Sequence, residues 1–321
     1  MLSRIYTVLS AAVLSLSVLS ANASDYPTRP VRIIVPFPAG SATDAITRII
    51  TQQMGESHGY KFVVENKAGA DGSIAAIELK NSAPDGYTLV MATNSPLAAV
   101  PTMRKDPPYD PLTDFTPISF VGKFNYFVLI DPQIPAKSFA EFVTYARANP
   151  RKINYGTGNT TGIVATAQIM KLANIEMLPV PYKGEPPALL DLVAGRIGFM
   201  VATQTTTLPF VLDGKLTALA TTSSARSTGA PNVPTMAEVG MTEFSILPWA
   251  ALIGPAKMPA ELVQKINRDL TATLAMPAVR EKIETQFFEP SGSTPAELAK
   301  FLKNQVDTWT KLVDELGLKQ Q

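Results

Sequence analysis

The sequence has no cysteine and a single histidine, His58. No disulfide can form, so the fold must be held by its core alone. A cysteine nucleophile and a thiolate metal site are both excluded. A Ser-His-Asp triad would have to use His58, which sits beside Gly59 at the end of a helical pattern, and no G-x-S-x-G elbow is present. His58 reads as a lone surface histidine. No acidic cluster replaces it, so no catalytic residue, metal or cofactor is expected. Charge is scarce as well: 17% of residues are charged and the net charge is +1. That removes the basic face a nucleic acid would need. Gly40-Ser41-Ala42 lacks the lysine–hydroxyl ending of a phosphate loop. Beyond residues 1–23 no window is long and apolar enough for a membrane span. Low-complexity tracts and fixed-period repeats are missing too.

Residues 1–23 carry Arg4, an apolar stretch Val8 to Leu19 diluted with serine, and Ala21-Asn22-Ala23. This is the pattern of a cleavable signal peptide, with the mature chain starting at Ser24. Without a cysteine to carry a lipid, a free periplasmic protein with no lipid anchor is expected.

The 321 residues suffice for two domains. The stretch from Val31 to Arg48 organises the chain. Val31 to Val35 reads as a buried strand ended by Pro36 and Pro38. A small-residue loop, Ala39 to Thr43, precedes Asp44, Ile46, Ile49, Ile50 and Met54 at helical spacing. Strand, tight loop and helix together leave backbone N–H groups at a positive helix end, which suits an anion. We read this unit as half of a carboxylate clamp, or else as an ordinary βα turn.

Strands are expected at Lys61 to Glu65 and Thr88 to Ala92, with a short helix between them whose apolar face carries Ile74 and Ile77. This βαβαβ pattern implies a parallel sheet, with ligands beyond its carboxyl ends near Gly40 and Asn94. Further strands are expected at Thr116 to Val121, Tyr126 to Ile130, Ile153 to Gly156, Met177 to Pro181, Ile197 to Val201, Thr217 to Thr221, Ile246 to Ile253 and Gln286 to Glu289. Helices are expected after Ser138, after Gly162, at Pro187 to Ala194, at Pro259 to Ala275 and from Pro295 to about Leu316. The loop Thr157 to Gly162 repeats the opening design. The chain crosses between domains near Gly122–Asn125 and returns near Trp249. One domain is therefore 24–123 plus 247–321 and the other 124–246. Two crossings make two hinges, the layout of a clamshell.

Several motifs occur in a specific order: Tyr26-Pro27-Thr28-Arg29-Pro30, Val35-Pro36-Phe37-Pro38-Ala39-Gly40, Asp44, Ala83-Pro84-Asp85-Gly86-Tyr87-Thr88, Asn154-Tyr155-Gly156, Val180-Pro181-Tyr182-Lys183-Gly184, Gly214-Lys215-Leu216 and Val233-Pro234-Thr235-Met236-Ala237-Glu238. Through these the whole mature chain resembles the Bug family, the extracytoplasmic solute receptors of tripartite tricarboxylate transporters. The resemblance implies an α/β fold of the type II periplasmic-binding-protein kind. It implies a small carboxylate gripped by two strand–loop–helix turns through backbone amides and water. It further implies membrane permease subunits as partners. The chain departs from the family at Gly40-Ser41, where Gly-Gly is usual, at Asp71 in a glycine-rich loop, and at Ile163 and Ala202, where relatives often place histidine and an acid.

The candidate ligand-binding residues are Phe37, Ala39, Gly40, Ser41, Ala42, Asp44, Asn94, Ser95, Thr157, Gly158, Asn159, Thr160, Thr161, Tyr182, Ala202, Thr203 and Trp249. Asp44 either steadies its own helix start or touches the ligand. Phe37 and Trp249 are either packing residues or cleft walls. The Tyr182 hydroxyl is a ligand contact, while Lys183 reaches solvent. Without an acceptor for an ammonium or cations for a tricarboxylate, an aromatic mono- or dicarboxylate is the expected ligand. A monomer is expected. The alternatives are a ligand-loaded periplasmic sensor component and a secreted hydrolase.

Overall fold

The computed structural model describes residues 26–319, so the signal-peptide segment lies outside the described residues. Two sheets organise the chain. The first sheet uses β1 (Val31–Val35), β2 (Phe62–Asn66), β3 (Thr88–Thr93), β4 (Phe115–Phe124), β10 (Trp249–Pro255) and β11 (Phe288–Pro290). Its strand order is β11-β4-β10-β3-β1-β2. The second uses β5 (Tyr126–Ile130), β6 (Asn154–Thr157), β7 (Leu178–Pro181), β8 (Phe199–Thr203) and β9 (Thr217–Thr221), in the order β7-β6-β8-β5-β9.

Both sheets are mixed, where the βαβαβ pattern predicts a parallel one. β1 pairs parallel with β2 and β3, and β6 with β7 and β8. The strands next to the crossings run the other way. β10 is antiparallel to β3 and β4, and β5 is antiparallel to β8 and β9. A strand arriving from the other sheet has no crossover helix to reverse it, so it enters antiparallel. β5, β8 and β10 are buried along their whole length. Their apolar runs, such as Phe127-Val128-Leu129-Ile130, therefore lack alternation. Each such side chain contributes about 1.5–3 kcal/mol of burial.

The helices cover the sheet faces: α1 (Ala42–His58), α2 (Ser73–Lys80), α3 (Val100–Met103), α4 (Phe139–Ala148), α5 (Thr160–Ala173), α6 (Glu185–Val193), α7 (Gln204–Leu212), α8 (Ala260–Ala275), α9 (Pro277–Glu284) and α10 (Pro295–Glu315). Thr294 and Glu297 form a capping box ahead of α10, with Pro295 in its first turn. On α2 the buried face is Ser73, Ala75, Ala76 and Leu79, whereas Ile74 and Ile77 are exposed. The helix lies close to the sheet, which small side chains permit. Ile74 instead shields Gly69, whose added Cβ would lie 2.5 Å from its Cδ1. Residues after Asn94 do not form an open loop. They wind into a π-type turn, Ser95–Ala99, that runs into α3. α7 and α9 were not legible in the periodicity; α7 contains Pro209, which breaks its pattern.

The chain leaves the first sheet at Phe124 and enters the second at Tyr126. Asn125, between them, is held by its side chain: Nδ2 donates to Gln204 Oε1 at 2.6 Å, and Oδ1 accepts from Ser223 N at 3.2 Å. The return strand passes beside it, with Phe124 N–H donating to Pro248 O at 2.9 Å. The carboxyl ends of β1, β3, β6 and β8 open on the seam between the sheets, where the helix starts of α1, α5 and α6 also gather.

Candidate functional site

The first wall of the seam comes from the turn after β1. Ser41 caps α1, its hydroxyl accepting from Asp44 N–H at 3.4 Å. The N–H groups of Ala42 and Thr43 then have no acceptor among the described residues. Both residues line a cavity between the sheets, at the positive end of a helix of 17 residues.

β3 delivers Thr93, Asn94 and Ser95 to the same cavity. Asn94 is 1% exposed. Its Oδ1 accepts from the Trp249 N–H, and its Nδ2 has no partner among the described residues. Thr93 Oγ1 is also buried and has no partner among the described residues. A buried polar group without a partner costs roughly 1–3 kcal/mol, so two in one cavity mark a place where a ligand supplies the complement.

The second wall comes from the other sheet. Asn159 caps α5, accepting from Gly162 N–H at 2.9 Å through Oδ1. Glu185 is the first residue of α6 and is 6% exposed. Its carboxyl accepts from the Thr203 N–H at 3.1 Å and from the hydroxyls of Thr203 and Thr206. Burial pushes this carboxyl above its usual range, opposed by those three donors. Tyr126 sits close by. Burial and the Glu185 charge raise its hydroxyl, while the Asn159 side chain acts against both. Phe37 and Phe124 supply the apolar walls, and no lining residue is cationic.

Three contacts draw the walls together. Ser95 Oγ and Thr161 Oγ1 are 2.8 Å apart, and Ser95 Oγ also accepts from Thr161 N–H at 3.3 Å. Pro38 abuts Gly184, where an added Cβ would lie 2.7 Å from its Cγ. Asp71, held at φ 55 in the turn before α2, faces Thr160 at the start of α5. Burial raises the Asp71 carboxyl, against Arg104 and Thr160. The cavity left between the walls is about 20 Å³, measured to the centres of water-sized spheres.

Of the residues expected at the site, Phe37, Ser41, Ala42, Asn94, Ser95, Asn159 and Thr203 line this cavity. Thr160 and Thr161 lie in the first turn of α5, which begins two residues before Gly162, and they meet Asp71 and Ser95. The others fall elsewhere. Ala39 and Gly40 are exposed on the outer side of the turn. Asp44 is buried under α1, accepting from Gly40 N–H, Arg48 and Asn66. Burial would raise its carboxyl, but these bonds from Arg48, Gly40 and Asn66 outweigh burial and hold it below its usual range. Of its two readings, the geometry is that of a support for the helix start.

Thr157 and Gly158 sit behind α5. A Cβ on Gly158 would lie 2.7 Å from Glu185 Cα, so this glycine lets α6 approach. The Tyr182 hydroxyl donates to Asp191 Oδ2 at 2.7 Å, away from the cavity. Ala202 packs in the apolar core of the second sheet, because alternate residues of β8 face opposite sides and Thr203 takes the seam. The Trp249 ring also points into a core. It packs on Phe120 and Phe301, and its Nε1 donates to Gln305 Oε1 at 3.0 Å. His58 is half-buried near Asp269, with Nε2 unpartnered among the described residues, and is no part of the cavity.

Thr43, Thr93, Phe124, Tyr126 and Glu185 line the cavity and escaped the sequence reading. The signal for Glu185 was present. An acid after Gly184 and before Pro186-Pro187 is a helix start, and helix starts face the seam here.

The family model described as Tripartite tricarboxylate transporter family receptor matches residues 46–318. Protein BugT of Bordetella pertussis is 34% identical over 304 residues, covering 93% of this chain and 92% of its own. Among solved structures, R. palustris Rpa4515 with adipate superposes with a TM-score of 0.88 at 30% identity, covering 91% of this chain and 99% of the other. The periplasmic binding protein BugD gives 0.87 at 30% identity, over 92% and 100%. MatC from Rhodopseudomonas palustris with bound malate gives 0.83 at 27% identity, over 90% and 100%.

Proposed function

Since the chain belongs to the receptor family of tripartite tricarboxylate transporters, a family of periplasmic binding proteins and not of enzymes, we propose that it captures a small organic carboxylate between two lobes and hands it to membrane permease subunits. The lobes are the two sheets with their helices, divided at Asn125 and again just before Trp249. Export through the signal peptide places the receptor free in the periplasm. The observation that carries this reading is the pairing of donors without acceptors in one cavity between the sheets. The Ala42 and Thr43 N–H groups and Asn94 Nδ2 face a space with no acceptor of their own. Adipate and malate, bound by two structural neighbours, are carboxylates of the size such donors suit.

The body of the ligand would lie against Phe37 and Phe124, which favours a carboxylate with an aromatic or compact apolar body. Trp249 and Ala202 give this preference no support, since both face cores. A citrate-like ligand is disfavoured because no cation lines the cavity.

A ligand-stability screen tests the reading. Adipate, malate, succinate, benzoate, phthalate and citrate would each be added at a hundredfold excess over a micromolar Kd. A true ligand raises the unfolding free energy by about 2.7 kcal/mol at that ratio. No shift with any carboxylate, alongside turnover of an ester or amide, would replace the receptor reading with the hydrolase one.

A further inference from the structure

Glu185 is a buried carboxylate with no cation beside it, since none of the residues that line its cavity is Lys, Arg or His. Its visible partners are all donors from its own lobe: the Thr203 N–H and the hydroxyls of Thr203 and Thr206. A backbone N–H cannot reverse its role, so one oxygen is permanently an acceptor. These three donors favour its charged form, but burial outweighs them and raises the carboxyl, so a cationic group beside it is what would hold the charge. A buried charge held only by neutral dipoles still lacks a counter-charge, and leaving it so is costly. Across the cavity stand groups of opposite character, the unpartnered Asn94 Nδ2 and the free N–H groups at the start of α1. One wall therefore receives negative charge and the other receives positive charge.

We propose that Glu185 is the counter-ion for an ammonium on the ligand, so that the preferred carboxylate is an amino acid or another amino-carboxylate. This rests on the carboxylate reading above and narrows it. The carboxylate of such a molecule meets Asn94 and α1, and its ammonium meets Glu185 in the other lobe. Both lobes are then needed to neutralise one ligand, which favours the closed form when that ligand is bound.

Matched pairs test this by calorimetric titration: alanine against propionate, glutamate against glutarate, δ-aminovalerate against hexanoate, and para-(aminomethyl)benzoate against para-ethylbenzoate. In at least one pair the amino member binds the wild-type protein at least about tenfold tighter, equivalent to about 1.4 kcal/mol. In Glu185→Gln, checked for folding by thermal unfolding, the ratio within that pair collapses to about threefold or less. The proposal is overturned if the member without nitrogen binds as tightly or more tightly in every pair. It is also overturned if Glu185→Gln keeps the preference. The wild-type comparison decides the matter even if the variant does not fold. Binding of carboxylates without any amino preference removes this proposal and leaves the receptor reading intact. Binding of no carboxylate at all removes both.

Discussion

The backbone N–H of Trp249 donates to Asn94 Oδ1 at 3.4 Å. This joins the return strand to the end of β3 and settles which way the Asn94 amide points. With Oδ1 bonded to the strand, Nδ2 of this cavity-lining residue has no partner among the described residues. Trp249 thus reaches the site through its main chain, while its ring is spent on the core with Phe120 and Phe301.

Asn94→Asp keeps the size and the acceptor for Trp249 but turns the inward donor into an acceptor. Carboxylate affinity is expected to fall at least about a hundredfold, roughly 2.7 kcal/mol, because a charged hydrogen bond is lost and a like charge is placed beside the ligand. Asn94→Ala loses only the donor and should cost about tenfold. Titration calorimetry of both variants checks the order. Equal affinity in Asn94→Asp and wild type would put the anion elsewhere.

Ser95 is the polar bridge between the walls, sharing a hydrogen with Thr161 Oγ1 and accepting from Thr161 N–H. Ser95→Ala removes both bonds at a buried contact, worth about 1 kcal/mol each. The closed form should become less populated, so Kd rises about threefold to thirtyfold. Solution scattering of the ligand-free variant should give a larger radius of gyration than wild type. An unchanged radius and Kd would mean that the Pro38–Gly184 and Asp71–Thr160 contacts suffice to hold the walls.

Much of this architecture was legible in the sequence, and the reasons for success and failure are physical. β1 and β9 appear at their expected residues because proline and glycine bound short apolar runs. The capping box at Thr294 was legible because it is written in local chemistry. The strand containing Ala202 was placed two residues early. Its run from Ile197 to Thr203 is buried throughout apart from Gly198, so nothing in its pattern marks the register. With the register unmarked, Ala202 and Thr203 were both expected at the seam, and only Thr203 lines the cavity. Glu185 was lost for a different reason. The helix-start signal at Gly184-Glu185-Pro186 was present, but a single acid in sequence does not reveal that Thr203 at the end of β8 and Thr206 in α7 converge on it. Trp249 shows the limit of reasoning from position along a strand: adjacent residues face opposite sides.

Asp44 should carry a pH signature. Its folded-state carboxyl is held below the usual range, so the stability it adds is fully present above the unfolded value of about 4. That stability is lost as pH falls through the folded value. Arg48 is half exposed and its share is screened. The Gly40 N–H and Asn66 bonds, at 3.0 Å each, are the dependable part. Asp44→Asn should therefore lower unfolding free energy by roughly 1–3 kcal/mol at pH near 7. The gap to wild type should begin to narrow as pH falls below about 4 and keep narrowing as pH is lowered further, as measured by urea unfolding. A gap independent of pH would show that shape, not charge, is what Asp44 supplies.

Gly184 and Gly40 separate closure from simple backbone cost. Both have positive φ, +133 and +79, so alanine at either position is strained by about 1–2 kcal/mol. Their surroundings differ. A Cβ at Gly40 meets nothing within 4 Å. A Cβ at Gly184 would lie 2.7 Å from Pro38 Cγ and 2.8 Å from its Cδ, atoms of a rigid ring on the opposite wall. That overlap can be relieved only by moving one wall away from the other. Gly40→Ala should lose thermal stability while keeping its ligand affinity within about threefold. Gly184→Ala should lose at least about tenfold in affinity, roughly 1.4 kcal/mol, and show a larger radius of gyration under saturating ligand. The decisive comparison is binding at a temperature where both variants are fully folded. Equal affinities there would mean that the walls need not meet at Pro38 for the ligand to be held.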